Sequence, residues 1–215
     1  MVYEGKDVRG CIFVSAPNVT IRNSRISCPD TDTPGGAHSR VNSNSTNLTI
    51  VDSEITCQGG YGVAVGPANY NLLRVEITNC ENGGHINSNV TVRDSWIHGL
   101  SGGADGHFDG FQFGQGGGNV VIERNVIENP NNQTAAIIMW DEGNPQNQNV
   151  LIQNNLLIGG GYTLYCGNFG TAVNVKVLGN RFAPGHWGTS TNCATGGEVW
   201  SGNVLDATGA TLNAA

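Results

Sequence analysis

Residues 89–97 read NVTVRDSWI, and the phrase returns along the chain. It appears as NVTIRNSRI at 18–26, NLTIVDSEI at 47–55, NYNLLRVEI at 69–77, NVVIERNVI at 119–127, NVLIQNNLL at 149–157 and NVKVLGNRF at 174–182. A degenerate copy, GEVWSGNVL, occupies 197–205. Successive leading asparagines stand 29, 22, 20, 30, 30 and 25 residues apart, so the unit is constant while the segments between copies vary. That is the pattern of a solenoid, in which each repeat buries its apolar face only against its neighbours.

Each column of the repeat has a physical reading. The second and fourth positions (Val90 and Val92, for example) are apolar and alternate with polar residues, which describes a strand with one buried face. The ninth position (Ile26, Ile55, Ile77, Ile97, Ile127, Leu157, Phe182) places a second short strand after a bend. Asn leads all seven clear copies and recurs at the seventh position at 125, 155, 180 and 203. Stacked at about 4.8 Å, such amides can bond to one another, and Asn tolerates the left-handed backbone of a sharp corner. A third apolar segment lies between copies: HSRVN (38–42), YGVAV (61–65), GGHIN (83–87), DGFQF (109–113), TAAIIM (134–139) and YTLYC (162–166). The expectation is an all-β, right-handed parallel β-helix of about eight coils with three short strands per coil, and residues 1–215 forming a single domain.

Composition agrees. Glycine occupies 32 positions, only 13% of residues are charged, and no window shows a 3.6-residue period. No apolar run is long enough for membrane insertion. A net charge of −7 and the absence of a basic tract argue against nucleic acid as a partner. No signal-peptide pattern follows Met1, which leaves a mature exported domain or delivery within a virus particle.

Six cysteines each close a strand or the loop after one. Cys11, Cys28, Cys57 and Cys80 stack at one corner of neighbouring coils, so Cys11–Cys28 and Cys57–Cys80 are the economical pairs, and Cys166–Cys193 is a third. An even count with this placement points to a secreted, extracellular setting, with a virion tail as the alternative.

Function in a packed solenoid must sit on an outward face and the loops that wall it. In the third segment the outward positions are expected to bring Arg40, His85 and Gln112 into one column, with Ala64 as a gap. His107-Phe-Asp109-Gly-Phe-Gln112 is the sharpest string: an imidazole beside a carboxylate that orients it makes an acid–base pair. Trp140, beside Asp141 and Glu142, offers a sugar platform at a strand end. Trp187 belongs to a C-terminal cap or the groove end, Trp96 to another exposed face, and Trp200 to the core. Arg25 and Glu54 form a cross-strand pair on a solvated face.

The repeats together with HFDGFQ (107–112) resemble the pectate-lyase-like β-helix superfamily. The string is similar to the H-x-D-G-(I/F)-Q of actinobacterial secreted and actinophage minor-tail β-helix proteins, and the likeness runs over almost the whole chain. It implies a polysaccharide partner and a lyase that cleaves uronate-containing chains by β-elimination. His107 would abstract the C5 proton, Asp109 would orient it, Arg40 would neutralise the substrate carboxylate and Tyr162 would protonate the leaving oxygen. Gln112, His85, Trp140, Asp141 and Glu142 would bind sugar. Ca²⁺ is the one cofactor this chemistry admits, with Asp30 and Asp32 near Arg40 as the nearest acidic cluster. The chain departs from polygalacturonases in having GGHI where they have G-H-G and no D-D pair on a strand. Two alternatives stand beside the lyase: a non-catalytic carbohydrate-binding or structural module such as a phage tail domain or adhesin, and a glycoside hydrolase using Asp109 with Asp141 or Glu142.

Overall fold

The computed structural model describes residues 1–28, 39–43, 46–58, 62–139, 148–166, 173–193 and 198–215. Among them all regular structure is β, the strand pairs are parallel, and no helix occurs. The chain winds as a parallel-stranded solenoid whose three faces can each be followed residue by residue. On the first face Val2, Thr20, Thr49, Asn71, Thr91, Val121, Leu151, Lys176 and Val199 lie in line. On the second the line is Val8, Ile26, Ile55, Ile77, Ile97, Ile127, Leu157, Phe182 and Leu205. On the third it is Ile12, Val41, Val65, Gly84, Phe111, Ile137, Leu164 and Ser190.

The repeat columns become the core and the corners. Ile26, Ile55, Ile77, Ile97, Ile127, Leu157 and Phe182 are fully buried, as the ninth-position reading requires. The leading asparagines, from Asn18 to Asn174, all adopt φ between 55° and 63°. Their amides form a chain on the outside of that corner, for example Asn89 Nδ2 to Asn69 Oδ1 at 3.0 Å and Asn174 Nδ2 to Asn149 Oδ1 at 2.9 Å. The seventh-position amides form a second ladder inside. Asn125 donates through its backbone N–H to Asn155 Oδ1 at 2.9 Å, and Asn155 and Asn180 repeat the contact toward the C-terminus. Serine serves earlier in the stack, with Ser24 N–H donating to Ser53 Oγ. Left-handed corners between the first two faces carry an alternating charge ladder in which Arg74 binds Asp52 and Arg124 binds Asp94. Arg25 and Glu54 are paired at 3.7 Å on the solvated face, as expected.

All six cysteines pair as the sequence predicts, at Cα–Cα distances of 4.7–4.8 Å: Cys11–Cys28, Cys57–Cys80 and Cys166–Cys193. Three such bridges fit an oxidising, extracellular-type environment. Among the described residues no helix is long and apolar enough to cross a membrane. Each bridge clamps one coil to the next. The Cys57–Cys80 bridge spans 23 residues, so the double substitution Cys57→Ala/Cys80→Ala should cost about 3 kcal/mol. A guanidinium unfolding curve against the unsubstituted protein measures it.

Candidate functional site

The third face carries the site residues, and its register decides which of them meet. Outward-facing Asn42, Gly66, His85, Gln112, Ile138, Tyr165 and Thr191 lie in one column. His85 and Gln112 are direct cross-strand partners, as predicted. Arg40 is not in this column. It lies level with Ala64, two positions from the His85 line, so the gap is Gly66, and Asn42, preceded by Phe13, stands in the column instead. The cause is a bend at the start of the strand that turns two consecutive residues toward the interior. A Cβ added at Gly83 would sit 2.7 Å from Ile97 Cγ2, and one at Gly110 would sit 2.3 Å from both Ile127 Cγ2 and the Ala136 carbonyl. Simple alternation fails there, and Gly110 serves close approach between coils. Arg40 occupies the same inward level and is 3% exposed, with Nη1 near Cys28 Sγ. It cannot reach a substrate carboxylate on the outer face.

The expected His107–Asp109 pair is also taken apart. Asp109 is 1% exposed. Its backbone N–H donates to Asn82 Oδ1 at 2.8 Å, and its Oδ1 accepts from the Ala135 N–H at 3.0 Å. Burial pushes its carboxyl up to about 8, against the opposing pull of the Thr134 hydroxyl and the Ala135 N–H, and the negative charge of Glu81 adds to the rise. His107 is exposed on the preceding loop, where its backbone N–H donates to Glu81 Oε1 at 3.0 Å. That loop is held by Asn129, Asn131 and Gln133, whose amides donate to Phe108, Leu100 and Gly106 carbonyls. Among the described residues no hydrogen bond or ion pair joins the His107 ring to Asp109. Asp109 is thus a buried link between coils.

His85 keeps its place on the outer column with its ring half-buried. Burial lowers its pKa, countered in part by the Gln112 side chain, and its Nε2 is buried with no hydrogen-bond partner among the described residues. Asn82 donates to Gln112 Oε1 at 3.4 Å, tying the amide to the same coil edge as Asp109.

At the far end the column meets an aromatic cluster that sequence reasoning saw only in pieces. Tyr162 opens the strand Tyr162–Tyr165 and packs edge-on against Tyr165, with ring centroids 5.5 Å apart, and against Trp187 at 5.8 Å. One side of the Trp187 ring lies on Gly161, where an added Cβ would come within 2.6 Å of it, and the residue is 55% exposed. His186 flanks it at 6.2 Å. Trp187 thus stands as an exposed ring beside the strand Tyr162–Tyr165. Trp96 is 46% exposed on the second face, stacked on His98, and Trp200 packs partly buried against Phe182. Trp140, Asp141 and Glu142 lie outside the described residues, as do Asp30 and Asp32. Among the described residues no group of three or more His, Cys, Asp or Glu side chains is placed to hold a metal ion.

The architecture is thus a parallel-stranded β solenoid with one outer column of mixed character, His85 and Gln112 followed by Ile138 and Tyr165, that ends beside the exposed Trp187 ring. In comparisons with known proteins the chain matches no family model, no curated protein and no solved structure.

Proposed function

We propose that this chain is a secreted, right-handed parallel β-helix of about eight coils that binds an extended polysaccharide along its third face. The right-handed sense follows from the strong preference of parallel crossovers. One observation carries the functional reading: His85, Gln112 and, beyond Ile138, Tyr165 lie in register on the outer column, which runs toward Tyr162 and the half-exposed Trp187. Coils about 4.8 Å apart repeat at a spacing comparable to one sugar residue of an extended chain. Amide and imidazole groups suit hydroxyls and carboxylates, while flat rings suit the apolar faces of pyranoses. Binding without cleavage is the reading we favour, because Asp109 is enclosed by Asn82 and Ala135 and Arg40 is buried, so neither of these two groups is presented to a substrate on the outer face.

The second reading is uronate lyase chemistry with His107 as base. It is favoured by the exposure of His107 at the head of the strand that carries Gln112. One experiment separates the two. Pectate, alginate and glucuronan are titrated by calorimetry with and without Ca²⁺, while absorbance from unsaturated uronates is followed in parallel. The expected result is binding without rising absorbance, with affinity reduced about tenfold in Trp187→Ala. Rising absorbance that His107→Ala abolishes would establish the lyase. No binding to any of these sugars would sink the saccharide reading for them.

A further inference from the structure

Recognition of a carboxylate without a bridging metal ion calls for Arg or Lys. The chain has ten such residues, and all of them are among the described residues. Arg22, Arg93 and Lys176 lie on the first face. Lys6, Arg74 and Arg124 lie at the corner between the first and second faces. Arg9, Arg25 and Arg181 lie on the second face. Most already hold a carboxylate of the chain, among them Arg22 with Glu4, Arg74 with Asp52 and Arg124 with Asp94. The tenth, Arg40, belongs to the third face and is 3% exposed.

The third face therefore offers a ligand no exposed Lys or Arg, while carboxylates stand on its border. Glu81 precedes the strand Asn82–Arg93, and its negative charge reaches Asp109, where it helps to raise the carboxyl pKa. Asp105 is exposed on the loop that leads to Asp109. The polar members of the outward column are amides at Asn42 and Gln112, a phenol at Tyr165, a hydroxyl at Thr191 and the His85 imidazole, which burial holds toward its neutral form. We infer that the polysaccharide bound along this face is an uncharged one, built of hexoses that carry hydroxymethyl groups where uronates carry carboxylates. This rests on the saccharide reading of the third face and narrows it. Sugar hydroxyls both donate to and accept from amides, phenols and neutral imidazoles with no counter-charge. A carboxylate in the same position gives up hydration, finds no cation and meets the field of Glu81. Uronate chains thus bind as weaker relatives of the same backbone, through their ring faces and remaining hydroxyls.

The test uses matched pairs: hexasaccharides of pectate, alginate and glucuronan, and the same hexasaccharides after reduction of every carboxyl to hydroxymethyl. Each is titrated into the full chain by calorimetry at about pH 8, above the ordinary imidazole range, with and without Ca²⁺. The reduced member of a pair should bind about fivefold tighter than its uronate parent. Raising NaCl from about 20 to about 300 mM should strengthen binding of the uronate forms and leave the reduced forms unchanged, because it screens like charges. Ile138→Arg places a cation in the column between Gln112 and Tyr165. It should shift the ratio of the two affinities about fivefold toward the uronate, and a general loss of binding cancels in that ratio. Equal or tighter binding of the uronate forms, in either Ca²⁺ condition, would overturn the inference while the saccharide reading stands. No binding by either member of any pair would overturn both.

Discussion

Asn155→Leu lowers the unfolding free energy by about 4 kcal/mol, although it replaces a polar side chain in a β core with an apolar one of similar size. The reason is the number of backbone groups that depend on this amide. Asn155 is 1% exposed. Its Oδ1 accepts from both the backbone N–H and the Nδ2 of Asn125, and its Nδ2 donates to the Ile122 carbonyl at 2.9 Å and to Asn180 Oδ1 at 3.0 Å. Leucine leaves the Asn125 N–H and the Ile122 carbonyl without these partners in a dry interior, at about 1–3 kcal/mol each. The substituted ladder is also interrupted in the middle, so the Asn125 and Asn180 amides lose a neighbour on one side. For a chain of this size the melting temperature should fall on the order of 10 °C. Asn149 on the outer ladder is the control. It is exposed, adopts φ 55°, and bonds Asn119 and Asn174, so Asn149→Gly keeps the left-handed corner and should cost no more than about 1 kcal/mol. A loss at position 155 no larger than that at 149 would show that the inner ladder is not what holds the coils in register.

That contrast marks where the sequence is legible. Period-two alternation and the invariant spacing of Asn, φ and φ within the repeat report directly on stacking, because every copy meets the same neighbours one coil away. The disulfide pairs follow from the same logic, since residues that end equivalent strands must lie about one strand spacing apart. The third face was harder to read. Its segment has no leading Asn to anchor the register, and its first residues turn inward twice in succession around Gly83 and Gly110. A strict alternation therefore assigns Arg40 to the outer column, where Asn42 in fact stands. The separation of His107 from Asp109 has a similar origin. Residues two apart share a face only while the chain stays extended, and here one belongs to a loop and the other to the buried corner. Trp187 and Tyr162 come together from loops and strands 25 residues apart. No local pattern announces that contact, although GHWG beside a glycine-rich preceding coil was the available signal.

Asp109→Asn makes the protein more stable above neutral pH, and this result bears on function. The Asp109 carboxyl has a folded pKa of about 8 against an ordinary value of 3.8, chiefly because it is buried. Between those values the unfolded chain has released the proton while the folded chain still holds it. Stability from this group is therefore complete below about pH 4, declines as pH rises toward 8, and levels off above it. Within the window each pH unit costs up to about 1.4 kcal/mol. Asparagine keeps an oxygen for the Ala135 N–H and never ionises, so it removes that slope. Allowing for the extra amide hydrogen it must place, the variant should gain about 4 kcal/mol at pH 8 and little at pH 4. Urea midpoints measured at half-unit steps from pH 4 to 9 check both limits, and parallel curves for the two proteins would refute the assignment. A residue that is neutral and enclosed at pH 7 cannot act as the anionic partner of His107. If Asp109→Asn gains stability at high pH and still binds saccharide, the H-x-D-G-F-Q string at 107–112 is a folding element: the aspartic acid closes the corner between coils, Gly110 allows their approach, and Gln112 alone of the three reaches the outer face.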